Sequence, residues 1–373
     1  MPLVPSYIKK LERYKPGKSV QLAKIESGDD NPNYIKLSSN ENPLGSSPMA
    51  IEALKKTYDN LNRYPDASGF DLGKKLSQNF NVEIDNVIIG SGSEGIMSTI
   101  MRTFLLNDDE IIVEAGSFIG FRVLANASGR KVHWVPMKNY HYDLGLMAKK
   151  ISDYTKIIYI ANPDNPMGTY IKKSDFDQFY ADVPDRVLII LDEAYYEFAK
   201  SQKDYPDSMY YRYDNVITLR TFSKAYGLGG LRIGYGFAHE DLVQNLNKVK
   251  PPFEPSLPAQ SAGIAALDDI EFLKKTIQTN CKGMEFLKEE FDLLKIKYIP
   301  SFTNFITTIW GNAETAELIS TKLLEAGIIV RRLSSFGWEN CIRITIGTKK
   351  AVSYTHLRAH ETRHDLVCRL LLE

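Results

Sequence analysis

NVITLRTFSKAYGLGGLRIGYGFA, residues 215–238, decides the fold. An apolar run ends at Thr221, a glycine-rich loop carries Ser223, Lys224 and Arg232, and a second apolar run, 233–238, follows. Strand, loop, strand is the reading, and the chain on either side repeats the theme. NVIIG (86–90), EIIVEA (110–115), KVHWVP (131–136), KIIYIA (156–161) and VLIILDEA (187–194) are short apolar runs separated by helical patterns. Strands alternating with helices predict crossover units and a mostly parallel sheet of seven strands. Runs apolar at every position, rather than at alternate ones, predict helices on both faces. In such α/β sheets ligands bind beyond the carboxyl ends of the strands. The rule singles out Gly90–Gly95, Ala115–Phe118, Asn162–Gly168, Asp192–Tyr196 and Thr221–Gly230.

Four of these loops carry chemistry. Lys224 alone reads as a solvated surface lysine. Beside a hydroxyl, close-approach glycines and Arg232 it reads as a desolvated amine next to an anion site, usable as nucleophile and base. Asp192 and Glu193 follow five apolar residues, and a carboxylate there needs a partner. A helix cap, a metal ligand and a partner for a protonated ring nitrogen all fit, but no histidine or second acidic cluster lies at metal spacing. GSGSEG, 90–95, opens a helix whose free N–H groups suit a phosphate. Gly90, Gly92 and Gly95 also spell the dinucleotide fingerprint, with Glu114 ending the next strand, so a nicotinamide-dependent oxidoreductase is the rival. ANPDNPMG, 161–168, is a rigid polar turn in which Asn165 can donate to a ligand oxygen.

Lys plus Arg and Asp plus Glu both number 46, which gives no basic surface for nucleic acid. No run is long and apolar enough for a membrane helix or a signal peptide, and three cysteines make no disulfide framework. A cytoplasmic protein is the expectation. The 373 residues exceed what one core holds, about 250–300. The expected organisation is an arm at 1–39 that joins a small domain, a large cofactor-binding domain at 40–255 and a small α+β domain at 256–350. A helix over 49–61 carries Ile51, Leu54, Tyr58 and Leu61 on one face. A long helix over roughly 270–295 buries Ile277, Cys281, Met284, Phe291 and Leu294, and short strands follow near 304–309 and 341–346. The tail at 351–373, AVSYTHLRAHETRHDLVCRLLLE, breaks the pattern and reads as non-native.

NENPLG, RYPD, GSGSEG, NPDNPMG, LDEAYYEF, TFSKAYGLGGLRIGY, KVKPPF and CIRITIGT stand in this order between about Tyr14 and Thr348. Together they resemble the aspartate-aminotransferase-like family of pyridoxal-phosphate enzymes with the type I fold, and within it the histidinol-phosphate aminotransferases. The resemblance implies that Lys224 carries the cofactor as a Schiff base and that Asp192 keeps the pyridine nitrogen protonated. It implies Asn165 and Tyr195 at the ring's phenolic oxygen and Phe118 stacked on the ring. It puts the phosphate on Gly92, Ser93, Ser223 and Arg232, with Tyr64 reaching across to the partner subunit of a homodimer with shared sites. Tyr14, Asn42, Arg331 and Arg343 then line the substrate pocket, and no metal is involved. The implied reaction passes an amino group between histidinol phosphate and 2-oxoglutarate, a small-molecule amino donor and a 2-oxo acid. Two departures bear on the donor. Phe118, in GSFIGF, stands where tyrosine is usual, and EPSLPAQ follows KVKPPF where an asparagine-rich stretch is usual. Both make the pocket more apolar and point to an aromatic amino acid as the alternative donor.

Overall fold

The computed structural model describes residues 3–13, 17, 20–27, 34–206, 208 and 214–349. Tyr14 and the tail at 351–373 lie outside these described residues. The strands are β1 (Ile35–Lys36), β2 (Val87–Gly90), β3 (Glu110–Glu114), β4 (Lys131–Val135), β5 (Thr155–Ala161), β6 (Leu188–Asp192), β7 (Val216–Thr221), β8 (Gly234–Phe237), β9 (Lys297–Ile299), β10 (Phe305–Ile309), β11 (Ile328–Ile329), β12 (Arg331–Leu333) and β13 (Trp338–Thr345). Seven form one sheet in the order β2-β8-β7-β6-β5-β3-β4. All neighbours are parallel except β8, which runs against both β2 and β7. The chain turns straight back from β7 to β8 without a crossover helix, and only an antiparallel pair can be joined that way.

Apolar strands become a two-sided core because their side chains alternate. Ile157, Tyr159 and Ala161 of β5 pack on one face, with Met97 and Phe121 from the helices Gly92–Phe104 and Ile119–Ala127. Ile158 and Ile160 pack on the other, with Phe176 and Phe179 from Lys173–Ala181. Each such side chain contributes about 1.5–3 kcal/mol by leaving water, so burial on both faces outweighs any local helix preference.

β12, β13, β10 and β9 form a second, antiparallel sheet. Its core takes Met284, Leu287 and Phe291 from the helix Ile270–Leu293 and Ile319 and Leu323 from Ala313–Glu325. β1 pairs with β11 in parallel, which ties the segment before Ser38 to this small unit. Among the described residues no helix is long and apolar enough to cross a membrane.

Two helical expectations are corrected. The helix expected over 49–61 is Pro48–Lys55, followed by a single turn at Tyr58–Asn60. Both the N–H and the hydroxyl of Thr57 bond the Leu54 carbonyl, which closes the helix early. Of the expected apolar face, Ile51, Tyr58 and Leu61 are exposed. In the long helix Cys281 is exposed, and the buried residues are Phe272, Thr276, Gly283, Met284, Leu287 and Phe291. The buried face shifts along the helix, because Thr276 meets Asn42 while Met284 and Leu287 meet the small sheet.

Candidate active site

The sheet registers bring the loops together. Gly90, Gly234 and Thr221 stand side by side at one end of β2, β8 and β7, and Ala161 stands beside Asp192 at the same end of β5 and β6. The loop from Thr221 to Gly234 therefore crosses the carboxyl edge of the sheet with Lys224 at its start. A cavity of about 190 Å³ lies there, and Ser93, Phe118, Asn165, Asp192, Tyr195, Ser223, Lys224 and Arg232 all line it. A larger cleft, about 330 Å³, opens between Leu144 and Phe179 away from these strand ends. It holds no lysine or arginine, so volume does not mark the chemistry.

One end of the cavity is built for an anion. Gly92 has φ +78°, and a side chain there would meet Arg232 at 2.8 Å. A Cβ on Gly234 would lie 2.4 Å from the Ser93 nitrogen, so only glycine lets β8 approach the turn. The helix Gly92–Phe104 starts at this turn with unpaired N–H groups. The Thr221 hydroxyl donates to Ser223 Oγ at 3.0 Å and accepts the Ser223 N–H, which leaves the Ser223 O–H as a donor. Arg232, in the left-handed region at φ 52°, donates to the Gly229 carbonyl and lies 3.2 Å from a Glu94 carboxylate oxygen.

The other end is a buried acid facing an amine. Asp192 is 4% exposed, and its Oδ2 accepts from Tyr159 Oη at 2.7 Å while Oδ1 accepts the Ala194 N–H. Burial pushes its pKa up to about 6 against the Tyr159 hydrogen bond. Burial, then the charge of Arg343, lowers Lys224 to about 8, and its Nζ lies 5.8 Å from the centre of the Tyr195 ring. Tyr195 accepts from Asn40 Nδ2 at 2.8 Å, and burial raises its phenol to about 12. Arg343 donates to Asn165 Oδ1 and, at 2.9 Å, to the Ser38 carbonyl. Arg331 is its register partner across β12 and β13, so both guanidinium groups leave one face of the small sheet.

Other expected residues stand apart. Asn42 does not line the cavity: its amide bonds the Ala225 carbonyl and Thr276 Oγ1, each at 2.9 Å, and so holds the backbone beside Lys224. Tyr64 is 80% exposed, stacks on Phe253 at 4.5 Å and is not among the residues lining this chain's own cavity. Tyr159 and Asn40 join the site from outside the loops singled out, while Glu94 and Thr221 lay in those loops without an assigned role. Tyr159 left a signal, a hydroxyl in an otherwise aliphatic strand two residues before Ala161.

The dinucleotide reading fails on topology. That motif needs adjacent parallel strands joined by its helix, but β2 touches only antiparallel β8, and β3 lies four places from β8. Glu114 is 1% exposed and takes the Gly116 N–H on both oxygens, so it offers no acid to a ribose.

This fold and cavity, a strand-end lysine opposite a buried aspartate with an anion cradle between sheet and helix, match the family model described as aminotransferase class I and II over residues 32–356. The chain belongs to that family, and it is a pyridoxal-phosphate-dependent transaminase. It is 38% identical over 348 residues to histidinol-phosphate aminotransferase 2 of Carboxydothermus hydrogenoformans, covering 93% of this chain and 95% of that one. It is 40% identical over 342 residues to histidinol-phosphate aminotransferase 2 of Pseudomonas fluorescens, covering 91% and 92%. Among solved structures, histidinol-phosphate aminotransferase from Sinorhizobium meliloti in complex with pyridoxal-5'-phosphate superposes with TM-score 0.89, 26% identity and coverage of 97% and 98%. Aspartate aminotransferase from Thermus thermophilus, at 17% identity and TM-score 0.83, shares the fold.

Proposed function

We propose that the chain transfers an amino group from histidinol phosphate to 2-oxoglutarate. The observation that carries this reading is the cross-strand pair Arg331 and Arg343, two buried guanidinium groups on one face of the small sheet, with Arg343 reaching the cavity residue Asn165. Paired arginines suit the phosphate of one substrate and the carboxylates of the other in turn. The relatives named for histidinol phosphate support the same donor.

The residues present fit the cofactor. Ser93, Ser223, Arg232 and the helix start at Gly92 would hold its phosphate, Asp192 would pair with its ring nitrogen, and Phe118 and Asn165 would wall its ring. When bound, pyridoxal phosphate supplies the electron sink that lets a carbon beside the transferred nitrogen lose its proton. The chain's own part is proton handling. Lys224 Nζ, with a pKa lowered to about 8, has its neutral form within reach near neutral pH. It takes the proton from the substrate's amine-bearing carbon and gives it back on the far side of the nitrogen, so one base serves both ends. Asp192, in its carboxylate form, holds a proton on the ring nitrogen opposite. Tyr195 stays a neutral phenol and donates to an oxygen on the ring.

With 2-oxoglutarate as acceptor, kcat/KM for histidinol phosphate is expected to exceed that for phenylalanine by at least about tenfold, or 1.4 kcal/mol of transition-state preference. A tenfold preference for phenylalanine would establish the aromatic donor instead.

The reading includes a homodimer with shared sites. Met49, Ile51, Tyr58, Leu61, Tyr64 and Phe253 are exposed apolar or aromatic side chains on and around the Pro48–Lys55 helix, a surface that suits a second copy. Mixing Lys224→Ala with Tyr64→Ala after dissociation is expected to recover activity, since one site of each hybrid has both residues. A monomer at micromolar concentration, or no recovery, excludes sharing.

A further inference from the structure

Behind the cavity wall runs a line of polar side chains that the proton chemistry above does not use. Tyr142 Oη accepts the Ala161 N–H at 3.0 Å. Ser117 Oγ lies 2.8 Å from Tyr142 Oη and donates to Asp164 Oδ1 at 2.6 Å. Asp164 is fully buried, and its Oδ2 accepts the Met167 N–H at 3.0 Å. A serine has one hydroxyl proton. Burial raises Asp164 to about 7, and in its carboxylate form it takes the Ser117 proton, so the bond from Tyr142 must be received and the chain runs one way. Ala161 N–H donates to Tyr142, Tyr142 O–H to Ser117, and Ser117 O–H to the carboxylate.

The chain ties together three segments that wall the cavity. Ala161 lines it directly, Ser117 precedes Phe118, and Asp164 precedes Asn165. Burying a carboxylate away from water costs several kcal/mol unless donors meet it. Burial, then the charge of Asp164, pushes the neighbouring buried Glu114 up to about 8. A core that only needed to be filled would hold an apolar side chain here. A directed chain of donors holds the two loops in one relative placement, which apolar packing specifies less sharply.

We propose that Ser117 is a positioning residue for the transamination, acting through the Tyr142–Ser117–Asp164 chain to fix Phe118 and Asn165 against the pyridoxal ring. The proposal rests on the reading that these two side chains face the ring. Ser117→Ala holoenzyme should fold and bind pyridoxal phosphate but lose about tenfold in kcat, with KM for the amino donor changed by less than about threefold. Its visible-band circular dichroism, which reports ring placement, should drop by about half or more, and Ser117→Thr should restore both readings. A Ser117→Ala enzyme with kcat within about twofold and an unchanged dichroic band overturns the proposal, and so does a threonine variant as impaired as alanine. If Ser117→Ala does not fold, Tyr142→Phe, which keeps the ring and removes one donor, is read in the same way. A smaller dichroic band with a lower kcat supports the proposal, and two unchanged readings overturn it. A parent protein with no visible band would overturn the reading of the cavity instead, which separates the two failures.

Discussion

Lys224→Ala is expected to lower transamination by at least about 10³-fold while the protein still folds. The size follows from the lack of a substitute. Among the described residues Lys224 is the only lysine lining the cavity. Arg232 and Arg343 do not give up a proton at any accessible pH. Tyr195 is held near 12 and Asp192 near 6, the first too weak an acid to be deprotonated and the second the residue proposed for the ring nitrogen. Folding should survive, because removing an amine whose charged form burial disfavours relieves a desolvation cost. Single-turnover rates at saturating donor, with far-UV circular dichroism as the fold check, decide the matter. More than about 1% of parental activity would show that another group moves the proton.

The central sheet was legible because its strands are apolar on both faces, a pattern that alternation and helix periodicity do not imitate. The small sheet was read only in part, and the reasons are local. β9 is three residues long, and β12 begins with two arginines, which no hydropathy pattern assigns to a strand. Arg331 and Arg343 acquire meaning only when β13 brings them into register. In the site, residues at strand ends were legible because topology alone puts them near a ligand, which is how Lys224, Asp192 and Asn165 were found. Asn40 was not, since its bonds to Tyr195 and Thr345 span 155 and 305 residues of chain. The bonds of Asn42 were not legible in its turn. A polar turn looks the same whether its amide meets a substrate or caps a backbone, and here it meets the Ala225 carbonyl. The 49–61 spacing marks one apolar face, and spacing alone does not tell a core from a surface left for another chain.

Asp192→Asn is expected to lower turnover by about 10²-fold or more and, in the absence of cofactor, to make the protein more stable at alkaline pH. The two effects share one cause. Asp192 is 4% exposed, and in the folded protein burial raises its pKa from 3.8 to about 6. Above that value the folded chain without cofactor carries a buried charge that the unfolded chain would keep in water. A raised carboxyl pKa gives a contribution that is fully favourable below the unfolded value and is lost as pH rises through the folded one. The loss therefore falls between about 4 and about 6 and is on the order of 3 kcal/mol. Asparagine carries no such charge and can still accept from Tyr159 or Ala194, so the cofactor-free variant should melt above the parent at pH 8, with the gap closing toward pH 4. A protonated ring nitrogen reverses the comparison, because an opposite charge beside the carboxylate offsets its desolvation and asparagine offers only a neutral partner. The buried aspartate is thus a destabilising residue in the empty protein that the bound ring makes useful. Melting curves of both proteins without cofactor at pH 4 and pH 8, together with kcat of the loaded forms, test the argument. A variant that keeps its turnover, or one that melts below the parent at pH 8, would show that Asp192 holds the fold rather than the ring.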